Sequence, residues 1–210
     1  MKKIFLAGLT TVTLLTFGAI SANANLIVNG SFEDPELTNS VKVFDSILGW
    51  TTVDGPGIEI QRDVAGSSYD GFQHVELDSS DNSAMEQLVD TIVNELYTLS
   101  FFYSPRPGQP AWTTGIEVYW NNILLTNPAI AEDGSGLTDT VWTSYSFDVS
   151  GAGASTSLIF QAVGVGDQHG GYVDAVSLTK ADLPVPEPAT MLLFGMGLVG
   201  LAGTRYKRQK

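Results

Sequence analysis

The sequence predicts an all-β domain, folded as a two-sheet antiparallel sandwich and set between two short membrane-addressing ends. Three observations predict it. Short apolar or alternating runs recur along the middle of the chain; breaks rich in Gly, Asn, Asp and Pro separate them; and between the two ends no stretch keeps a helical period beyond two turns.

The clearest strand covers 97–104, where Tyr97, Leu99, Phe101 and Tyr103 share one face and Thr98, Ser100, Phe102 and Ser104 the other. A second, over 141–149, alternates Val141, Thr143, Tyr145, Phe147 and Val149 against Trp142, Ser144, Ser146 and Asp148. Further strands are expected over 26–29, 58–61, 72–78, 85–89, 116–120, 157–163 and 171–178. Turn chemistry fills the gaps: Asn29-Gly30, Asp54 to Gly57, Asp70-Gly71, Pro105 to Pro110, Asn121-Asn122, Asp133-Gly134 and Gly151 to Gly153. No βαβ alternation and no fixed-period repeat is present, which leaves a sandwich rather than a parallel sheet or a solenoid.

Composition narrows the chemistry. There is no cysteine, which excludes a disulfide framework, thiolate metal sites and cysteine nucleophiles together. The two histidines, His74 and His169, are all the imidazole available. The formal net charge is −13, the wrong sign for nucleic acid, whose phosphates need clustered Lys and Arg.

Both ends read as separate from the domain. Lys2 and Lys3, an apolar run over 4–20 and Ala22-Asn23-Ala24 are the three parts of a secretory signal peptide over 1–24, with a retained membrane helix as the competing reading. Residues 181–188 form a Pro-rich linker, 189–204 an uncharged apolar segment, and 205–210 a basic end expected to stay cytoplasmic. At 1.5 Å per residue that segment spans roughly 24 Å as a transmembrane helix, against a hydrocarbon core of ~30 Å. Snorkelling of Arg205 and Lys207, or local thinning, closes the gap. Inside it, Gly195, Gly197 and Gly200 match a dinucleotide-binding spacing, but no strand precedes and no βαβ unit follows. That reading is rejected. Without the ends, residues 25–183 keep 22 acids and only Lys42, Arg62, Arg106 and Lys180 as bases. Such a surface repels anionic polymers and attracts divalent cations.

The tail carries the first resemblance. Pro186-Glu187-Pro188, a short Gly-rich apolar helix and a basic end resemble the PEP-CTERM sorting signal of Gram-negative bacteria, over 184–210. The resemblance implies handling by an exosortase and the secretion machinery, with the chain held in the inner membrane before processing. It then implies a destination at the cell surface, outer membrane or extracellular matrix. The three prolines at 184, 186 and 188 hold an extended backbone, the form peptidase clefts accept.

A second resemblance covers 25–180. The start Asn25 to Glu33, Gly49-Trp50, the stretch Gln73 to Asp78 and the end Gly171 to Leu178 resemble galactose-binding-like jelly rolls, which include many carbohydrate-binding modules. In several of those a structural calcium joins the first and last strands, and by that analogy Glu33 and Asp174 offer carboxylates here. The competing reading is that they cap turns or face solvent. A second acidic loop, Asp78 to Asn82, lacks an EF-hand's glycine and terminal glutamate and reads as a solvated turn.

Flat aromatic rings cover the C–H face of a sugar, so exposed aromatics are the binding candidates. Trp112 lies on the long loop after Pro105; Tyr119 shares its strand phase with Glu117; Trp142 shares its phase with Ser144, Ser146 and Asp148. Trp50, Tyr97, Phe101, Tyr145 and Phe147 are expected in the core. Arg106 is expected in a salt bridge or on a ligand. No G-x-S-x-G, H-E-x-x-H or cysteine supports catalysis, and Asp167 with His169 reads as a solvated loop. The expectation is an exported, non-enzymatic sandwich that associates with extracellular polysaccharide. A ligand-free surface spacer and a secreted glycan hydrolase are the alternatives.

Overall fold

In the computed structural model the described residues are 24–38, 40–62 and 64–181. The signal peptide expected over 1–24 (but for Ala24), the linker beyond Ala181, the motif residues Pro186, Glu187 and Pro188, the apolar segment over 189–204 and the basic end over 205–210 lie outside them. Twelve strands form two six-stranded antiparallel sheets packed as a sandwich of jelly-roll type. In chain order they are β1 Ser40–Phe44, β2 Ser46–Ile47, β3 Trp50–Asp54, β4 Ile58–Arg62, β5 Gln73–Glu76, β6 Ala84–Val89, β7 Leu96–Ser104, β8 Gly115–Trp120, β9 Ile123–Leu124, β10 Thr143–Ser150, β11 Thr156–Val163 and β12 Tyr172–Lys180. The first sheet runs β1-β4-β5-β12-β7-β10 and the second β2-β3-β6-β11-β8-β9. Among the described residues there is no helix.

Alternation builds the core. Leu99, Phe101 and Tyr103 of β7 and Val173 and Leu178 of β12 face Ile116 and Val118 of β8 and Leu158 and Phe160 of β11, all fully buried. Trp50 sits at the centre, its ring 5.7 Å from Phe32 and 5.9 Å from Phe160. Tyr145 and Phe147 pack against the core while remaining partly exposed. The β8–β9 hairpin turns on Asn121 and Asn122, both at positive φ (47° and 64°), the backbone a two-residue I′ turn demands.

Several strands differ from expectation. β10 begins at Thr143, so Val141 and Trp142 precede it. Residues 26–29 form no regular strand, although the Leu26 amide donates to the Leu178 carbonyl at 2.9 Å. The segment is tied down by side chains instead: Gln87 accepts from the Val28 amide and donates to the Val28 carbonyl, and Asn25 accepts from the Leu178 amide. Gly30 lies against the bulged part of β12, where an added Cβ would stand 2.1 Å from the Val176 carbonyl oxygen. β1, β2, β3 and β9 went unforeseen. In β1 the apolar alternation points the wrong way: Val41 and Val43 lie on the exposed face, while Lys42 and Phe44 pair with the core residues Ile60 and Ile58.

Candidate functional site

The outer face of the first sheet is where the structure departs from a simple sandwich. Residues directly opposite in antiparallel strands share a face. One cross-strand row therefore reads Val43, Glu59, Glu76, Tyr172 and Ser104, and the next reads Val41, Gln61 and His74. Alternation in β4 and β5 would put these polar side chains in water. Instead Gln61 and His74 are 1% exposed and Glu76 is fully buried.

Three loops bury them. The segment 64–72 crosses the face: the Tyr172 hydroxyl donates to the Ala65 carbonyl, and Tyr69 stacks on Phe102 with centroids 3.5 Å apart. The loop after β7 sends Arg106 over the Tyr172 ring and onto Glu76. The loop before β12 brings the Gly170 amide to Glu76 Oε1 at 2.5 Å. Trp142, half-buried, closes one side, with its ring 5.8 Å from His74 and 6.4 Å from Tyr69 and its indole N–H on the Ser67 carbonyl.

Placing Glu59 directly opposite Glu76 is unfavourable for two ionised carboxylates. Gln61 bridges them, its Nε2 donating to Glu59 Oε1 at 2.8 Å and also to Glu76 Oε2. Arg106 Nη1 donates to Glu76 Oε2 at 2.5 Å. Burial raises the Glu59 carboxyl above its ordinary range and raises Glu76 further, against the pull of Arg106. Burial and then Arg106 lower His74 to about 3, so it is a neutral imidazole at ordinary pH. Both its ring nitrogens, and Gln61 Oε1, are buried without a hydrogen-bond partner. An unpaired buried polar group costs about 1–3 kcal/mol, and three of them gathered on one face need an explanation.

Glu33 and Asp174 meet the same roof loop from two sides. Glu33 Oε1 accepts from the Phe72 and Gln73 amides at 2.7 and 2.8 Å. Asp174 Oδ2 accepts from the Tyr69 and Asp70 amides at 2.9 and 3.0 Å, and Oδ1 from Ala175 at 2.6 Å. Burial raises the Asp174 carboxyl to about 7 despite these bonds. Both residues thus act as clamps that fix 64–72 in place. Among the described residues no three His, Cys, Asp or Glu side chains gather as a metal set.

The three aromatic candidates do not converge. Trp142 belongs to the roofed face. Tyr119 lies on the outer face of the second sheet, its hydroxyl donating to Glu117 at 2.5 Å, beside a shallow hollow with Asn122, Ile159 and Gln161. Trp112 stands 68% exposed on the β7–β8 loop, near exposed Val165. Arg106 does form the expected salt bridge. Asp78, expected in a solvated turn, is fully buried and accepts from the Asp167 amide, because the β11–β12 loop folds over it. His169 stays half-exposed, 3.7 Å from Asp167. Glu59, Gln61, His74, Glu76, Tyr69 and Tyr172 were not anticipated as site residues.

Against known proteins, residues 184–208 match the PEP-CTERM protein-sorting motif. That motif implies an exported protein sorted to the cell envelope. A search of curated proteins gave no match. Among solved structures the chain is similar to a family 16 carbohydrate-binding module at 19% identity, over 74% of this chain and 100% of that one, with TM-score 0.49. It is also similar to a family 35 carbohydrate-binding module from Clostridium thermocellum (14%, 68% and 99%, 0.40). A further family 35 module, from Paenibacillus barcinonensis, matches at 17%, over 68% and 100%, with TM-score 0.40. At these values the likeness is one of fold and goes no further.

Proposed function

We propose that this is an envelope or matrix protein, released from the inner membrane by an exosortase acting on its tail. Its sandwich binds extracellular polysaccharide on the outer face of the first sheet and performs no reaction of its own. The sorting half is supported by the motif over 184–208. The binding half is carried by one observation: His74 and Gln61 keep unpaired polar atoms beneath the half-buried Trp142. A sugar supplies what that surface lacks, hydroxyls that both donate and accept and a C–H face for an indole.

The test is affinity electrophoresis of the detergent-solubilised full chain through gels containing neutral and charged polysaccharides. Retardation that disappears in Trp142→Ala supports the reading. No retardation in any gel makes the sandwich a spacer, and release of reducing ends makes it a hydrolase.

The proposal includes a structural calcium at the junction of the first segment and β12. Its support is donor chemistry: hard cations take six to eight oxygens, and a hollow of about 380 Å³ there is lined by Asn25, Asn29, Ser31, Asp70 and Ser177 among others. The clamps Glu33 and Asp174 flank the same loop. A cation bound only by the folded state raises the melting temperature, so EDTA is expected to lower it. An unchanged value removes the metal and leaves the amide clamps to hold the loop unaided.

A further inference from the structure

We infer that the roofed face takes the primary ammonium of an amino sugar, so that the polysaccharide is a polymer of de-N-acetylated hexosamine. This rests on the polysaccharide-binding reading above and specifies its ligand.

The inference comes from a mismatch between acceptors and donors. Glu59, Glu76 and Gln61 Oε1 present five side-chain oxygens on adjacent strands. The donors that reach them are Gln61 Nε2, Arg106 Nη1 and the Gly170 amide. Gln61 Oε1 receives none, and the neutral ring of His74, opposite Gln61 in the register, keeps both its acceptor nitrogen and its N–H unpaired; an ammonium donates to the two acceptors, and a hydroxyl of the same sugar accepts from the N–H. Both side chains are 1% exposed. A hydroxyl brings one donor and two acceptor lone pairs, whereas an ammonium brings three donors and no acceptor. Burial holds the Glu59 and Glu76 carboxyls toward their neutral forms, and a bound ammonium brings the cation that lets them ionise beside the single guanidinium of Arg106; hydrogen bonds to charged partners are the stronger kind.

Charge elsewhere on the domain points the same way. Its four bases are engaged: Arg62 with Glu36, Arg106 with Glu76, Lys180 with Glu95, and Lys42 over the Phe44 ring. A uronate or sulfate would meet 22 acids, with three of the four cations already in ion pairs. Glu59, at 9%, is the most exposed of the cluster, and Val41 and Val43 of the neighbouring β1 offer exposed apolar surface beside it.

The experiment compares the detergent-solubilised full chain with polyglucosamine, its N-acetylated counterpart, a neutral glucan, a polyuronate and polylysine. Binding is measured at low salt and at 0.5 M salt, about the range where surface attraction is screened. The variants are Glu59→Gln and, as a surface control, Asp45→Asn. The expected result is polyglucosamine binding roughly tenfold or more tighter than its acetylated form, persisting at high salt. That preference is lost in Glu59→Gln and kept in Asp45→Asn, with both variants melting like the parent. Binding that vanishes with salt and weakens equally in both variants is non-specific attraction and overturns the inference. Equal binding of the neutral glucan overturns it while leaving the polysaccharide reading intact. Equal, Glu59-dependent binding of polylysine assigns the amine to a protein partner and overturns the sugar. No binding to any polymer removes both.

Discussion

The two outer faces of this sandwich are made from similar strands and treated in opposite ways. On the second sheet, β11 alternates buried and half-buried residues along its whole length. Its outward polar groups pair locally, as Tyr119 with Glu117 and Ser157 with Glu86, at the edge of water. On the first sheet, β5 is buried at every position and β4 at all but its last. One face of each sheet suffices to make the core. The first sheet buries its other face as well, using polar and ionisable residues that cost free energy to desolvate. A fold does not need that layer. The proposed binding role accounts for it, because the polar groups of such a site must be held in place and shielded from water before the ligand arrives.

That contrast can be broken most severely at Arg106. Arg106→Ala leaves Glu76 buried without its cation and is expected to lose about 3 kcal/mol in urea denaturation, whereas Glu117→Ala on the second sheet changes stability by less than about 0.5 kcal/mol. Adding Glu76→Gln to Arg106→Ala is expected to recover part of the loss, since the position left without its cation then carries no charge. A smaller effect is expected at the roof. Glu33→Ala removes the acceptor for two amides and is expected to cost about 1–2 kcal/mol, with the Tyr69–Phe102 contact loosening first in near-ultraviolet dichroism.

The pH dependence sharpens the comparison because the titrating groups with large shifts lie on the first sheet. His74 is held at about 3, below its usual 6.5. Its contribution to stability is therefore complete above 6.5 and is lost as pH falls toward 3. His74→Gln is expected to lose less stability than the parent over that interval. Asp174 has the opposite sign: raised from 3.8 to about 7, it favours the folded state at low pH, and that contribution disappears as pH rises through 7. Asp174→Asn is expected to flatten the decline between those values. The smallest change is predicted for Tyr119→Phe, which breaks only a surface hydrogen bond and shifts stability by no more than a few tenths of a kcal/mol.

The sequence made much of the sandwich legible, because β7, β8, β10 and β11 carry inward apolar residues at every second position. The short edge strands did not announce themselves. β2 and β9 are two residues long, and β1 turns its valines outward. The site was harder still. Glu59 with Gln61, and His74 with Glu76, have the spacing of any solvated strand face; their burial depends on the 64–72 segment and on two loops remote in the chain, with Arg106 30 residues and Gly170 94 residues beyond Glu76. Arg106 itself was readable, as one of only four bases in an acidic domain. Trp142 shares its sequence phase with Ser144 and Ser146 and lies, just ahead of β10, against the face that proves unusual. Tyr119 has a similar phase and lies on the ordinary sheet, since periodicity assigns a residue to an outer face without saying which of the two.

The most direct measurement of the central claim is the polysaccharide affinity of the full chain carrying Trp142→Ala beside that of the chain carrying Tyr119→Ala. The account predicts that the first loses binding by roughly tenfold or more, as removal of a central aromatic anchor does, while the second binds like the parent. Loss in Tyr119→Ala with full binding in Trp142→Ala would place the ligand on the other sheet and contradict it.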